Sequence, residues 1–373
     1  MLLLLLLPLT ALAHERNPSS MTAALANSLA QVGIRPSAQA RAFAAHFTTL
    51  ANQAISKSPT SSTAMSLSGI DSTMGALGPI HLTNPDTQPA RALNVTLLGG
   101  TVNLDSLDGH HLDPTPEPGR LLTEDRANEP VALAIEYRLS LRQSAIALAL
   151  TYGLTDNLNV SLLMPVITTN LGISVRGGGE AGSTHRHAIG PGDLTTRVKY
   201  RLPAVWGIHS AVNLDAQFPV GDPEDLQGTG DYWLAPAFSA RKILLGGKGD
   251  ITANVAMDFD VNDAAQTQAL YGIGTSWLLL PWLAVSLEFL GRSQLDSVKA
   301  LADTDVFYLT PTGIQKSPLF GFTFSRADYL DLAFGVRLVK SPLAIILGGV
   351  YHLNDSGLRS TSVVPTLGAG ATW

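Results

Sequence analysis

The sequence contains no cysteine, which excludes disulfide scaffolds, thiol catalysis, iron–sulfur clusters and cysteine-ligated zinc. Charged residues are scarce as well, at 14% of the chain, against about a quarter in soluble domains. The net charge of −6 comes without a basic block, so no nucleic-acid partner is predicted. Because 45% of the 373 residues are hydrophobic, we expect part of the surface to face something other than water.

Apart from the N-terminus, the sequence also lacks a long apolar run. Residues 277–285 come closest, but Pro281 interrupts them well short of the roughly 18 apolar residues that a membrane helix needs. Residues 1–13 are leucine-rich and end in an A-x-A pattern, which predicts a signal peptide, with a buried N-terminal helix as the alternative. An exported apolar chain without a spanning helix can cross lipid only as a closed β-barrel.

The hydrophobic pattern supports that barrel. In residues 251–260, apolar or small side chains occupy the odd positions and mostly polar ones the even positions, as in a transmembrane strand. A soluble sheet with one buried face alternates in the same way. Two further features favour an all-β antiparallel transmembrane barrel: many small residues lie on the polar face, and tight turns alternate with long connections.

We predict about twelve strands in a barrel domain of residues 91–373. Residues 131–137 form either a separate short strand or the start of the second one. The predicted strands cover residues 91–103, 139–154, 158–167, 192–202, 208–219, 230–242, 250–260, 267–279, 282–292, 326–339, 343–353 and 361–373.

Aromatic residues near the predicted strand ends suit the lipid interface, with the core of a soluble sandwich as the alternative. They are Tyr152, Tyr200, Phe218, Tyr232, Phe259, Trp277, Trp282 and Tyr351. The terminal Trp373 is typical of the signal that the bacterial outer-membrane assembly machinery recognises. That machinery and outer-membrane lipid are therefore predicted partners, and the bacterial outer membrane is the predicted location.

Residues 14–90 have a different composition, rich in alanine, serine and threonine. Helices are predicted over residues 23–31 and 38–55, and a linker over residues 58–78. This N-terminal segment is either a plug inside the barrel or a periplasmic extension.

Several turn motifs, taken in order, resemble those of the outer-membrane transporter family associated with the meta-cleavage pathway of phenol degradation. The motifs are Tyr152-Gly153-Leu154-Thr155-Asp156-Asn157-Leu158, Gly192-Asp193-Leu194, Lys199-Tyr200-Arg201, Phe218-Pro219-Val220-Gly221-Asp222-Pro223 and Gly228-Thr229-Gly230. The resemblance covers residues 92–373. It implies a barrel that passes small organic solutes, hydrophobic or aromatic ones among them, across the outer membrane.

No nucleophile elbow, zinc-protease motif or phosphate-binding loop is present, so neither an enzyme nor a cofactor is predicted. His185 and His187, or His110 with His111, could approach a metal, but polar loop surface is the favoured interpretation. Ser183 near the first two histidines is the only suggestion of a lipid-modifying enzyme.

Ten charged or titratable residues are predicted on the polar face, where they would line the lumen. They are Arg197, Lys199, Arg201, His209, Asp215, Asp258, Asp260, Glu288, Asp331 and Arg337. These groups either select solutes by charge and size or pair across a closed interior. The predicted function is a passive channel for small organic solutes. The alternatives are a lipid-modifying enzyme and an adhesive barrel whose loops, above all residues 293–323, bind a partner.

Overall fold

In the computed structural model, twelve antiparallel strands form a closed barrel. The strands are β1 Leu93–Leu104, β2 Pro130–Thr155, β3 Leu158–Gly177, β4 Leu194–Val205, β5 Ile208–Phe218, β6 Trp233–Leu244, β7 Gly249–Asp260, β8 Gln268–Leu280, β9 Leu283–Gln294, β10 Asp328–Lys340, β11 Leu343–His352 and β12 Val364–Thr372. Each strand pairs with the next, and β12 pairs with β1, so the predicted twelve-stranded barrel is confirmed.

The structure describes residues 20–31, 48, 77–107, 110–111, 120–124, 130–177, 180–295, 305–310, 313–318, 328–356, 358–360 and 362–373. The predicted signal peptide lies outside these residues, as do nearly all of the second predicted helix and the linker. One helix, α1 Met21–Gln31, confirms the first predicted helix. Within the described residues, no helix is both long enough and apolar enough to span a membrane.

Connections alternate between tight turns and longer loops, as predicted. The tight turns, among them residues 156–157 and 281–282, share one end of the barrel, here called the short-turn end. Both the start of β1 and the end of β12 lie there. The opposite end, the long-loop end, carries additional strands, including a hairpin of Asp305–Thr310 and Gly313–Pro318.

The predicted end of β3 was wrong, whereas one of the two alternatives for residues 131–137, the start of β2, is confirmed. Residues 131–137 continue β2, and β3 runs ten residues past its predicted end to pair with a further strand, Glu180–Pro191. The hydrophobic alternation reverses near the long-loop end, which explains why the extension was not predicted. Near the long-loop end the outward residues of β2 become polar, as at Arg138 and Arg142, while Leu139 and Leu141 turn inward and are buried. Water replaces lipid around this extension, so the alternation reverses.

The outer face of the barrel is apolar. Large side chains such as Leu97, Ile273 and Ile345 are about half exposed. Together they form an apolar belt whose contact with water would be unfavourable. Aromatic residues flank the belt at both ends, including Trp277 near the short turns and the edge-to-face pair Phe218 and Tyr232 near the long loops.

Strands of 12 residues extend roughly 40 Å, and their tilt reduces this to about 30 Å, which is the thickness of the hydrocarbon core. The barrel spans the bacterial outer membrane.

The seam between β1 and β12 is closed by the pairing of residues 94–100 with residues 366–372, and Leu93 and Trp373 extend this ladder by one further pair. Leu93 N–H donates to Trp373 O, and Trp373 N–H donates to Leu93 O, both at 2.9 Å. Trp373 is 68% exposed. Its recognition by the assembly machinery stays a prediction.

We expect an arginine in the belt to destabilise the barrel according to its depth. Leu97→Arg, near the middle of β1, should lower the free energy of unfolding by about 2–4 kcal/mol, because the charge cannot reach water. Leu279→Arg, next to a tight turn, should cost about 0–1 kcal/mol. Urea unfolding of both variants in lipid vesicles measures the difference. Equal costs would contradict the assigned belt.

Candidate functional site: the barrel lumen

Residues 77–90, here called the inner segment, lie inside the barrel at its short-turn end. The segment joins the turn between β2 and β3, where Ala90 N–H donates to Asp156 Oδ1 at 2.9 Å and Thr87 Oγ1 donates to Asp156 O at 2.6 Å. Most of its other residues are buried against the inner wall. The short-turn end of the lumen is therefore occupied by the chain itself.

Glu288 on β9 is the central attachment of the inner segment. Its carboxylate accepts three successive backbone N–H groups, from Ile80 at 2.5 Å, His81 at 2.9 Å and Leu82 at 2.8 Å. Glu288 is 1% exposed, so these donors replace its hydration. Successive N–H groups aimed at one anion form a favourable electrostatic cradle.

Cations of the wall hold the rest of the segment. Lys199 Nζ donates to the carbonyl oxygens of Asn84 and Asp86, at 2.9 and 2.7 Å. Arg241 bridges the Asp86 carboxylate, at 2.6 Å, and the buried Asp250.

Arg337 completes these contacts, since its Nη2 donates to the carbonyl oxygen of Pro79 at 2.5 Å. The contacts around the inner segment thus involve three cations, Lys199, Arg241 and Arg337, and three carboxylates, those of Glu288, Asp250 and Asp86. The formal charges of these six side chains balance.

Glycines in the wall make room for the inner segment. A Cβ atom on Gly272 of β8 would lie 2.5 Å from Leu82 Cδ2, and one on Gly335 of β10 would lie 2.4 Å from Ile80 Cδ1. Any larger residue at these positions would collide with the segment. The small residues of the inner face therefore act as sockets for Leu82 and Ile80.

A cavity of about 180 Å³ lies in the lumen beside the inner segment, which contributes His81, Leu82 and Thr83 to its lining. The wall is mixed. It includes Trp233 and Leu290 together with the ion pair of Arg197 and Asp215, whose two hydrogen bonds both measure 2.6 Å.

A folded loop of residues 219–230 covers part of the long-loop end. Asp193 anchors it, because its carboxylate accepts hydrogen bonds from Gln217 Nε2, Gly221 N–H and Thr229 N–H at 2.7, 3.1 and 2.7 Å. Leu226 is buried, and its carbonyl oxygen accepts from Gln143 of β2 at 2.7 Å. Three of the motifs that carry the family resemblance, those of residues 192–194, 218–223 and 228–230, thus hold this loop over the lumen.

Helix α1 packs against the same loop and against the strand Glu180–Pro191. The backbone N–H of Met21 donates to Asp225 Oδ1 at 3.0 Å, and Ser28 Oγ donates to Thr184 Oγ1 at 3.1 Å. The described parts of the N-terminal segment therefore contact both ends of the barrel.

A second polar cluster lies near the long-loop end of β9 and β10. Asp331 is paired with His352, at 2.6 Å, and with Arg359. Both Arg359 and Arg292 lie over the ring of Tyr329, at 4.4 and 3.7 Å from its centre. The cluster borders the cavity through Arg292 and Asp331.

All ten residues predicted for the lumen occupy inward positions of the alternating strands. Lys199, Glu288 and Arg337 bind the inner segment, and His209 Nδ1 lies 3.8 Å from Asp86 Oδ1. Passage of a solute along these residues stays a prediction.

The other predicted residues have separate partners. Arg197 pairs with Asp215, Arg201 binds Asn157 at the short-turn end, and Asp331 joins the Tyr329 cluster. Asp258 lines the cavity, and Asp260 caps the following turn through Asn262 N–H at 2.8 Å.

Sequence reasoning missed Arg241, Asp250 and Arg292. The alternation could have revealed Arg241, which shares the inward face of β6 with Trp233 and Ser239. The partner of Arg241 on the inner segment, Asp86, carries no periodic signal.

The enzyme-like residues do not assemble a catalytic group. Ser183, His185 and His187 are exposed on one strand, and no hydrogen bond joins the serine to either histidine among the described residues. His187 Nδ1 instead lies 2.8 Å from Asn170 Oδ1. Within the described chain, no three histidine or acidic residues come together as a metal site.

No family model matches the chain, and no curated protein matches it at a significant level. Several solved structures are similar in shape. An outer membrane channel from Pseudomonas putida F1 is 13% identical, with a TM-score of 0.47 over 80% of this chain and 100% of the other. The NanC porin is 7% identical, with a TM-score of 0.40 over 74% of this chain and 98% of its own. A Pseudomonas aeruginosa FadL homologue is 8% identical, with a TM-score of 0.33 over 82% and 97% of the two chains.

We expect Glu288→Ala to loosen the inner segment, because three buried N–H groups would lose their acceptor. The chain has no native cysteine, so a Leu82→Cys substitution introduces a single thiol. This thiol is buried as long as the inner segment remains bound to the wall. Maleimide labelling at residue 82 should be about tenfold faster in the Glu288→Ala background. The control is Asp263→Asn in an exposed loop. Equal labelling rates in all three backgrounds would contradict the attachment.

Proposed function

We propose that this protein is a passive outer-membrane channel for small organic solutes. The observation that carries the proposal is the arrangement of the lumen: a cavity with polar and apolar walls adjoins an inner segment that the wall holds by hydrogen bonds and ion pairs.

The size of the barrel supports a restricted path. Twelve strands lie between eight-stranded barrels, which their own side chains fill, and sixteen-stranded porins with open water channels. In this chain the inner segment and the loop of residues 219–230 narrow the lumen further, at opposite ends. Solutes that pass are therefore small.

The chemistry of the cavity favours organic solutes. Leu82, Leu290 and Trp233 offer apolar contacts, and the neighbouring ion pairs offer polar ones. Such a mixed wall suits molecules that combine an apolar body with one polar group. This agrees with the hydrophobic and aromatic solutes implied by the resemblance to the phenol-degradation family.

The inner segment would then act as the principal barrier. The hydrogen bonds and ion pairs that hold the segment are non-covalent, and their formal charges balance. Replacing one of the charged residues therefore leaves its buried partner unpaired. A shift of the segment toward the short-turn end would connect the cavity to the periplasm.

We expect the full chain in planar bilayers to conduct weakly and Glu288→Ala to raise the conductance by about threefold or more, because the narrowest part of the path widens. Liposomes containing either form should also take up benzyl alcohol faster than empty liposomes do. Asp263→Asn serves as the matched control and should conduct like the unmodified chain.

The channel proposal would be overturned if folded barrels passed neither ions nor benzyl alcohol in both the unmodified and Glu288→Ala forms. Hydrolysis of envelope lipids that His187→Ala abolishes would instead favour the enzyme.

A further inference from the structure

Arg292 on β9 is a buried cation that the network around the inner segment does not use. It points inward, is 6% exposed and lines the cavity. Its guanidinium stacks on Tyr329 at 3.7 Å, which fixes its orientation. Among the described residues, Nε and Nη1 of this side chain are buried without a hydrogen-bond partner.

The surrounding charges leave this guanidinium without a carboxylate of its own. Asp331, the acid on the neighbouring strand, is already bound by Arg359 and His352. Asp258 lies near enough to act on Arg292 electrostatically, but no ion pair joins the two residues in the described part of the chain. Buried arginines are normally paired, so unused donors beside a cavity indicate a place for an anion.

The rest of the cavity specifies what kind of anion fits. Leu82, Leu290 and Trp233 provide apolar surface next to Arg292. The formal charges of Asp258 and Asp331 balance those of Arg292 and Arg359, so the site carries little net positive charge to hold a doubly charged ligand such as phosphate. At about 180 Å³, the cavity is smaller than pockets for drug-sized ligands.

We propose that Arg292 forms the binding subsite for the carboxylate of a small organic acid, whose apolar part contacts Leu82, Leu290 and Trp233. The proposal rests on the proposed channel and names its substrate class. The solute would exchange its hydration for the free N–H groups of Arg292 while it crosses the lumen. Arg292 therefore makes the channel selective for small monocarboxylates.

Three probes of similar size test the charge preference: benzoate, benzyl alcohol and benzylamine. Isothermal titration of the full chain in detergent should detect benzoate binding that Arg292→Gln weakens by about tenfold or more, because a charge-assisted contact is lost. Arg292→Lys should restore part of the affinity, since it keeps the charge but not the planar group. Lys340→Gln, the same change of charge at an exposed site on β10, should bind like the unmodified chain.

Flux into liposomes separates this subsite from the channel itself. Arg292→Gln should slow benzoate entry and leave benzyl alcohol entry unchanged. Equal benzoate binding in the Arg292→Gln and unmodified chains would overturn the subsite, as would a preference for benzylamine or for inorganic phosphate. Failure of every solute to pass would overturn the channel, while titration would still decide whether Arg292 binds a carboxylate.

Discussion

The whole structure depends on one constraint: in hydrocarbon, no backbone N–H or carbonyl group can remain unpaired. A sheet meets this constraint only by closing on itself, and here the reciprocal hydrogen bonds of Leu93 and Trp373 complete the circle. Closure fixes the rest of the chemistry. The apolar face must point outward to lipid, so along the lipid-facing length of the strands the polar and small residues are gathered inside.

The interior then has to satisfy its own charges, and the chain does so with a segment of itself. Backbone groups of residues 77–90 supply partners to Glu288, Lys199 and Arg337, while Asp86 pairs with Arg241. An ion buried without a partner costs several kcal/mol, so the wall and the segment stabilise each other. The same contacts that fill the interior also obstruct it, which links stability directly to permeation.

Much of the barrel could be predicted from the sequence, because lipid on one side and a polar lumen on the other impose a strict period of two. Residues 251–260 show it, and β7 has nearly the expected bounds. The prediction failed where that contrast disappears. Beyond the lipid, water surrounds β2 and β3, and the alternation reverses at Leu139 and Leu141.

The interior was less predictable than the wall. Inward charges such as Lys199 and Glu288 could be recognised from their strand positions, but not their partners. The inner segment has no period, and Ile80 and Glu288 are more than two hundred residues apart. Arg292 illustrates the same limit, since only the three-dimensional arrangement shows which charges around it are already used.

The glycines at 272 and 335 give the inner wall a shape complementary to Leu82 and Ile80. If those two side chains withdrew, the wall would have no atoms of its own to fill the hollows, and water would enter beside bare backbone. An emptied lumen would therefore be wider than the strand count alone suggests. The inner wall is complementary to the inner segment. Without that segment, the width of the lumen would be set by the positions at which the wall has glycine in place of a side chain.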